Sequence, residues 1–344
     1  MVEGHSLCFT HLLGQEKAKG MLQRSLVTDR IPHAYIFKGP DGVGRRLFGR
    51  GFAAAINCHN RSIGRACGVC PSCVKIRSGN HPDFMVISPE KGGIKIGEVR
   101  KLCKDLTYPP YESPMRVVIL EDVHAMRAEA ANSLLKTLEE PPENNLLILT
   151  ADSSQAILST LTSRCQVVPF SGLQDEDTIT ILRQHGVDIS DAQFFSHLSG
   201  GSPGRALLLL NTGIAELWRD IVAGLSIEGG EPDSGLGVVL KLAERMAGMK
   251  DHLDDLLIFL RMWLRDLLVA HHRSFTPGGR VTQVPEEKLG ELKSWNSAQL
   301  FAKLQAVNTA ERALARNCNR LLVCEVLLFK LQRTSSAESN LRFR

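Results

Sequence analysis

The sequence predicts an α/β fold in which a parallel sheet covered by helices is followed by a small helical subdomain and then by an all-helical domain. Between about residues 34 and 170, short apolar runs alternate with longer segments of helical periodicity. From about Gln174 the strand signal fades, and short amphipathic segments separated by glycines follow. Between residues 250 and 270, leucines recur at intervals of three and four, which predicts a long helix with a wide buried stripe.

Five core strands and three helices are predicted in the α/β part. The strands are residues 34–38, 83–87, 116–120, 145–150 and 166–170, and the helices are residues 45–56, 96–106 and 129–140. Pro141 and Pro142 should end the third helix, because proline lacks the amide hydrogen that continues a helix. Further helices are predicted at about residues 175–185, 190–199, 204–211 and 297–332, with a loop at 274–285.

These segments predict the domain organisation. The α/β domain spans residues 1–172 with an inserted cysteine-rich module at 58–80, the small helical subdomain spans 173–212, the helical domain spans 213–333, and a polar tail spans 334–344. A chain of 344 residues is long enough for two or three hydrophobic cores. The run at residues 321–331 is too apolar on all sides for a free surface helix, so we expect other subunits to bury it.

Composition and charge argue against several classes of protein. Hydrophobic residues make up 43% of the chain and charged residues 23%, with a formal net charge of +4. Lysine and arginine are dispersed, so the overall balance does not predict nucleic-acid binding. The amino terminus has no basic stretch followed by an apolar core, and no window is long and apolar enough for a membrane span. We expect a soluble, cytoplasmic protein without a membrane partner.

Residues 39–46, with the sequence Gly-Pro-Asp-Gly-Val-Gly-Arg-Arg, have the spacing of a phosphate-binding loop between a strand and a helix. Gly39, Gly42 and Gly44 would let backbone amides approach a phosphate at the helix amino terminus. The next two positions should be a lysine and a serine or threonine, but they are Arg45 and Arg46. Arginine is a larger, planar donor than lysine, and it has no oxygen with which to ligate magnesium.

The acids expected to bind magnesium also depart from the usual pattern. The apolar strand at residues 116–120 ends in Glu121 and Asp122, as in a Walker B element, but the two acids occur in reversed order. We therefore expect no ATP hydrolysis by this chain, and ATP binding in cis has little support. Taken without the acidic strand, residues 39–46 are also compatible with a tight turn between a strand and a helix.

Four of the nine cysteines are close together in the sequence. Cys58, Cys67, Cys70 and Cys73 are separated by eight, two and two residues. The overlapping CxxC pairs at residues 67–70 and 70–73 each let two thiolates converge on one ion, and with Cys58 the four sulfurs predict a closed tetrahedral zinc site with a structural role. Four unmetallated thiols are the alternative, but buried cysteines rarely cluster in this way.

Several further segments resemble the subunits of bacterial DNA polymerase III clamp loaders, which are AAA+ proteins. The most distinctive is the sequence ANSLLKTLEEPP at residues 131–142. Thr150 resembles the sensor of the nucleotide's last phosphate, and Arg164, in a Ser-Arg-Cys triplet, resembles an arginine finger. Arg205, which ends a Gly-Ser-Pro-Gly-Arg sequence, resembles the second sensor in the helical lid. Segments at residues 14–15, 31–37, 81–84 and 317–321 also resemble this family.

The resemblance implies an AAA+ module, a helical lid and a helical collar that joins a pentamer. It implies as partners the gamma or tau motor subunits, the delta subunit, the sliding clamp and, through the assembly, primed DNA. The departures at Arg45, Arg46, Glu121 and Asp122 imply a noncatalytic member that offers Arg164 to a neighbouring ATPase. Without the family context, Arg164 would be interpreted as a surface ion-pair partner.

Two other functions remain open from the sequence. One is a working AAA+ ATPase, similar to the gamma or tau motor subunit, in which Arg45 replaces the lysine. The other is a zinc-dependent nucleic-acid-binding module, which accounts for the cysteines but leaves the phosphate loop and the Ser-Arg-Cys triplet unexplained.

Overall fold

The structure is a computed structural model of the 344-residue chain. It describes residues 7–60, 65–89, 93–152, 157–210, 212–225, 232–250, 252–272 and 295–332. The loop predicted at 274–285 and the polar tail predicted at 334–344 lie outside the described residues.

Five parallel strands form one sheet in the order β2–β3–β4–β1–β5. They are β1 (Ala34–Lys38), β2 (Phe84–Ile87), β3 (Arg116–Leu120), β4 (Asn145–Ala151) and β5 (Gln166–Pro169). Every residue of β3 and β4 is buried, as expected of central strands in a parallel sheet with helices on both faces. The predicted α/β class is confirmed, and each predicted strand is correct to within one residue.

Helices cover both faces of the sheet. On one face lie α1 (Glu16–Val27), α2 (Arg45–Ile56) and α3 (Pro71–Ser78); on the other lie α4 (Ile96–Asp105) and α5 (Ala128–Glu139). Successive strand residues point to opposite faces, so Tyr35 and Phe37 pack with α2, whereas Ala34 and Ile36 pack with α4 and α5. Because β3, β4 and β1 are adjacent and parallel, their carboxyl ends lie at the same edge of the sheet. The loops that follow these three strands meet there.

The described chain then continues as helices. These are α6 (Ser159–Thr162), which precedes β5, and α7 (Asp175–Gln184), α8 (Ile189–Leu198), α9 (Pro203–Leu210), α10 (Ile214–Leu225), α11 (Pro232–Gly248), α12 (Leu253–His272), α13 (Ser297–Ala315) and α14 (Arg320–Gln332). Among the described residues, no helix is long and apolar enough to cross a membrane.

The chain divides into two compact units. The first comprises residues 1–192 and 199–205, and the second comprises residues 193–198 and 206–344. All three tryptophans belong to the second unit, where Trp218 and Trp295 each contact Trp263 with ring centroids 5.5 and 5.9 Å apart. The division at residues 172, 212 and 333 stays a prediction.

The single final helix predicted at residues 297–332 is wrong, because α13 and α14 are separate helices. Asn317 adopts a left-handed backbone (φ 58°) just after α13. The amides of Asn317 and Cys318 donate to the carbonyls of Leu314 and Ala313, which is the hydrogen-bond pattern of a Schellman motif. Asn319 then accepts hydrogen bonds from the first amides of α14 and acts as its amino-terminal cap.

The apolar run in α14 is largely buried within the chain itself. Cys324, Leu327, Leu328 and Leu331 are at most 2% exposed, whereas Leu322 is 58% exposed. The expectation that other subunits bury Leu327 and Leu328 is therefore wrong, because the second unit's own helices cover them. The exposed apolar residues of the run are Leu321, Leu322 and Val326, and for these the burial by other subunits stays a prediction.

We expect Leu327→Ala to lower the free energy of unfolding of the second unit by about 2–5 kcal/mol, because the truncation leaves a cavity in a packed core. Leu322→Ala should change it by about 0.5 kcal/mol or less. Tryptophan fluorescence during urea unfolding measures both, because all three indoles lie in this unit. Equal effects of the two substitutions would contradict the burial of Leu327.

Candidate functional site

The loop at residues 39–44 joins β1 to α2 at the carboxyl edge of the sheet. At Gly39 a Cβ atom would lie 2.5 Å from the Phe170 Cβ, so only glycine lets the loop leave β1 beside the end of β5. Gly42 has φ 73° and Gly44 has φ 96°, a left-handed backbone that glycine adopts without strain. The loop thus has the position and backbone that the sequence predicts for a phosphate loop.

Arg45 turns back onto acidic residues of its own chain. Its Nη2 lies 3.2 Å from Asp41 Oδ1 and 3.4 Å from Asp122 Oδ1, and its side chain is only 5% exposed. Burial raises the pKa of Asp122, although the Arg45 guanidinium opposes this rise. A buried arginine held between two carboxylates is fixed in place, because moving it would leave a buried charge unpaired.

Arg46 forms the second ion pair of the site. Its Nε lies 3.0 Å from Glu121 Oε1, and the Ser88 hydroxyl donates to Glu121 Oε2 over 2.6 Å. Both acids of the predicted Walker B element therefore have partners within the chain. Each of the two arginines after the loop pairs with one of the two acids at the end of β3.

Thr150 links the ends of two neighbouring strands. It is buried, and its Oγ1 accepts a hydrogen bond of 3.0 Å from the backbone amide of Asp122. Asp122 itself has a left-handed backbone (φ 48°), so the chain turns sharply at this residue. The predicted sensor residue thus lies beside the predicted magnesium acid.

The segment before Arg205 packs directly against the phosphate loop. The Ser202 hydroxyl donates to the Asp41 carbonyl over 2.7 Å, and the Gly204 amide donates to the Gly42 carbonyl over 2.9 Å. A Cβ at Gly42 would lie 2.3 Å from Ser202 Oγ and 2.8 Å from the Arg205 amide nitrogen. The structure therefore brings the backbone of Arg205 next to the loop, and its role as the second sensor stays a prediction.

Gln15 has a structural role beside this loop. Its side-chain amide donates to the Ser171 carbonyl over 2.6 Å, and its Oε1 accepts from the Ser171 amide over 3.1 Å. These two bonds tie the start of α1 to the chain that follows β5. A cavity of about 710 Å³ lies between these two segments and is lined by Gly14, Gln15, Phe170 and Leu173.

Arg164 lies near the amino ends of the strands, whereas the loop at residues 39–44 lies at their carboxyl ends. Gln166 is in register with Tyr35 of β1, so Arg164 precedes the amino end of β5, whereas Gly39 follows the carboxyl end of β1. At about 3.3 Å per residue, the positions of Arg164 and Gly39 differ by roughly 20 Å along the strand direction. Arg164 is therefore placed away from the phosphate loop of its own chain.

The Arg164 guanidinium contacts three oxygens of its own chain. Its Nη2 lies 2.7 Å from Glu139 Oε1, and its Nη1 donates to the Thr160 carbonyl and to the Ser163 hydroxyl over 3.1 and 3.2 Å. Both members of the ion pair are partly exposed, Arg164 at 34% and Glu139 at 48%. The arginine is thus an ion-pair partner at the surface in this structure.

The four predicted metal ligands converge. The Sγ atoms of Cys58, Cys67, Cys70 and Cys73 all lie within 4.8 Å of one another. A tetrahedral site with Zn–S bonds of 2.3 Å needs S–S edges of about 3.8 Å, so small adjustments would suffice. The amides of Cys67 and Cys70 each donate to a ligand sulfur over 3.3 Å, as donors near metal thiolates commonly do. This cluster can hold a metal ion.

The electrostatics of the cluster also suit a cation. Backbone hydrogen bonds from Val69 and Cys70 lower the pKa of the Cys67 thiol to about 6. Burial raises the pKa of Cys73, whose side chain lies inside the core. A divalent cation would offset the free-energy cost of burying the Cys73 thiolate, because its positive charge stabilises the anion.

The cysteine module is anchored to the sheet by polar contacts. His81 Nε2 lies 3.3 Å from the hydroxyl of Ser72, within the module, and 3.1 Å from the hydroxyl of Ser113, just before β3. Lys75 on α3 pairs with Glu112 at 2.6 Å. The module is thus joined to the α/β core at a place separate from the phosphate loop.

Sequence reasoning did not assign a role to four residues that complete these contacts. They are Asp41, Ser88, Glu139 and Ser202. Asp41 precedes Arg45 by four residues, and this spacing in the sequence predicts an ion pair between them. The partners of the other three lie in other elements, so no local pattern predicts their contacts.

Comparison with known proteins covers about half of the chain. The family model described as "DNA polymerase III, delta subunit" matches residues 14–174. A DNA polymerase III subunit delta' from Pseudomonas aeruginosa is 33% identical over 197 residues, covering 56% of this chain and 60% of that protein. The chain is thus similar to DNA polymerase III delta-prime subunits over about half of its length. The subunit delta' of Bacillus subtilis is 35% identical over 160 residues, covering 46% of this chain and 48% of that protein.

The chain is also similar to other subunits of DNA polymerase III. The subunit tau of Bacillus subtilis is 30% identical over 213 residues, which is 60% of this chain and 38% of that protein. The chain spans about half to three fifths of the length of the two delta-prime relatives. Identity is similar for both kinds of relative, so identity alone does not distinguish their functions.

Proposed function

We propose that this chain is the non-hydrolysing delta-prime subunit of a cytoplasmic bacterial clamp loader. As part of the DNA polymerase III holoenzyme, it would help to load the sliding clamp onto primed DNA. Its partners would be the gamma or tau motor subunits, the delta subunit, the clamp and, through the assembly, DNA. It would donate Arg164 to the ATP site of a neighbouring motor subunit.

The observation that supports the non-hydrolysing role is the pairing of Arg45 with Asp122 and of Arg46 with Glu121. A magnesium ion in a nucleotide site needs carboxylate or hydroxyl oxygens, and both of these carboxylates already neutralise an arginine. Magnesium binding would have to break an ion pair whose arginine is buried.

The position of Arg164 supports a role in trans. An arginine about 20 Å along the strand direction from its own phosphate loop cannot reach a nucleotide bound there. At the surface it is available to a neighbouring subunit, where a guanidinium can stabilise the charge that develops on a transferring phosphoryl group. The degraded loop and the exposed arginine then serve one function, because this chain supplies the finger and its neighbour supplies the ATP site.

We further propose that the four cysteines bind one structural zinc ion. Four sulfur ligands close the tetrahedron and leave no open position for a reacting water. Zinc would supply a cross-link between the end of α2, the loop and α3. Its contribution is to folding of the module and not to catalysis.

The isolated chain is expected to release no phosphate from magnesium ATP above the rate of a protein-free blank. Mixed with the motor subunits, delta and the clamp of its host, it should co-elute with them on size exclusion. Turnover by pure protein that Arg45→Ala and Arg46→Ala both abolish would instead identify a motor subunit. A chain that binds nucleic acid but joins no loader subunit would identify the zinc-dependent binding module.

A further inference from the structure

The ion pair between Arg164 and Glu139 brings together two positions that are distant in sequence. Glu139 is the last residue of α5, and Arg164 follows α6. The Glu139 carboxylate is 2.7 Å from Nη2, while Thr160 and Ser163 occupy Nη1. Among the described residues, Nε of Arg164 has no hydrogen-bond partner. The guanidinium is thus held on one side, while two of its five N–H donors, one at Nε and one at Nη2, have no partner among the described residues.

The stability of α5 does not explain an acid at this position. A carboxylate at a helix carboxyl terminus faces the negative end of the helix dipole, where a basic residue is favoured. The backbone of Glu139 is nevertheless well fixed, because Leu138 is buried and two prolines follow at residues 141 and 142. A fixed carboxylate in an electrostatically unfavourable place is best explained by the arginine it contacts.

We propose that Glu139 is a positioning residue for Arg164. It holds the guanidinium in one orientation at the surface before the neighbouring ATP site closes on it. An unrestrained arginine samples many rotamers, and ordering it during the reaction costs conformational entropy. Glu139 has already imposed that order, so more of the binding energy goes into stabilising the transition state. This inference rests on the proposed role of Arg164 in trans.

The test uses the reconstituted loader with four versions of this chain: wild type, Arg164→Ala, Glu139→Gln and the double variant. We expect Glu139→Gln to assemble normally and to lower the Arg164-dependent part of kcat by about threefold, the order that a partly exposed ion pair supplies. KM for ATP should stay unchanged, because the finger acts on the transition state. In the Arg164→Ala background, Glu139→Gln should have no further effect.

Glu140→Gln is the matched control, because it removes the same charge from the next exposed residue. Glu140 forms no ion pair within the part of the chain that the structure describes, and its substitution should leave kcat unchanged. If Arg164→Ala has no effect, the finger itself is refuted. If Arg164→Ala lowers the rate but the single variant Glu139→Gln leaves the rate unchanged or raises it, the finger stands and the positioning role is overturned. The same holds if the double variant is slower than Arg164→Ala alone.

Discussion

A clamp loader reconstituted with an Arg164→Ala chain should hydrolyse ATP more slowly than the wild-type assembly and load fewer clamps. Arginine fingers in other nucleotide hydrolases contribute roughly 10³ to 10⁵ in rate. The loss measured for the whole loader should be smaller, because only one of its several ATP sites would border this subunit. The measurements are clamp-stimulated phosphate release and clamp loading on primed DNA.

The substitution should not disturb the fold. Arg164 and Glu139 are 34% and 48% exposed, and an ion pair of this kind contributes about 1 kcal/mol or less to stability. Arg164→Lys keeps the positive charge but loses the planar fork of donors, so it should recover little of the lost rate. Arg24→Ala, which removes an exposed arginine from α1, is the control for general charge effects. Normal assembly with unchanged rates for Arg164→Ala would reduce this residue to a surface charge.

Cys70→Ser is expected to eliminate the zinc that we propose for the wild-type chain. Cys70 is the amino-terminal cap of α3, and its sulfur accepts from the Cys73 amide over 3.5 Å. Serine is itself a preferred cap, so the substitution removes the thiolate ligand while keeping an acceptor for the helix. Metal loss can then be separated from loss of the cap. Elemental analysis should give one zinc per wild-type chain and almost none in the variant.

The structural consequences of Cys70→Ser should be local. Hydrogen exchange should accelerate in residues 65–80 and stay slow in β3 and β4, because metal binding is coupled to folding of its own module. Tryptophan emission should not change, since all three indoles lie in the second unit. Cys318→Ser, at an exposed cysteine outside the cluster, should retain the zinc. Wild-type protein prepared without chelators and found free of zinc would refute the metal proposal.

Local patterns in the sequence predicted most of the first unit correctly. The strands follow from short apolar runs, because a central parallel strand is buried on both faces and excludes polar residues. The cysteine cluster follows from its spacing, because CxxC pairs bring sulfurs together within one or two turns. The proline pair after Glu140 predicted the end of α5 to within one residue.

The split between α13 and α14 shows where the same reasoning failed. The apolar pattern continues through residues 297–332, so periodicity alone predicts one helix. The break depends on Asn317, which adopts a left-handed backbone, and on Asn319, which caps the next helix. Asparagine tolerates both roles but also occurs inside helices, and the burial of Leu327 and Leu328 became clear only from the helices packed around them.

The sequence by itself determined the order along the chain of the five strands and of α2, α4 and α5, the position of the loop at residues 39–44, the presence of Arg45 where a phosphate loop has lysine, and the identity of the four clustered cysteines. The helices α1, α3 and α6 were not predicted from the sequence. Only the tertiary structure decided which charges meet: Arg45 with Asp122, Arg46 with Glu121, and Arg164 with Glu139. The physical reason is that periodicity and turn chemistry act between residues a few positions apart. Ion pairs across the sheet depend instead on strand order, and strand order places residues far apart in sequence next to one another.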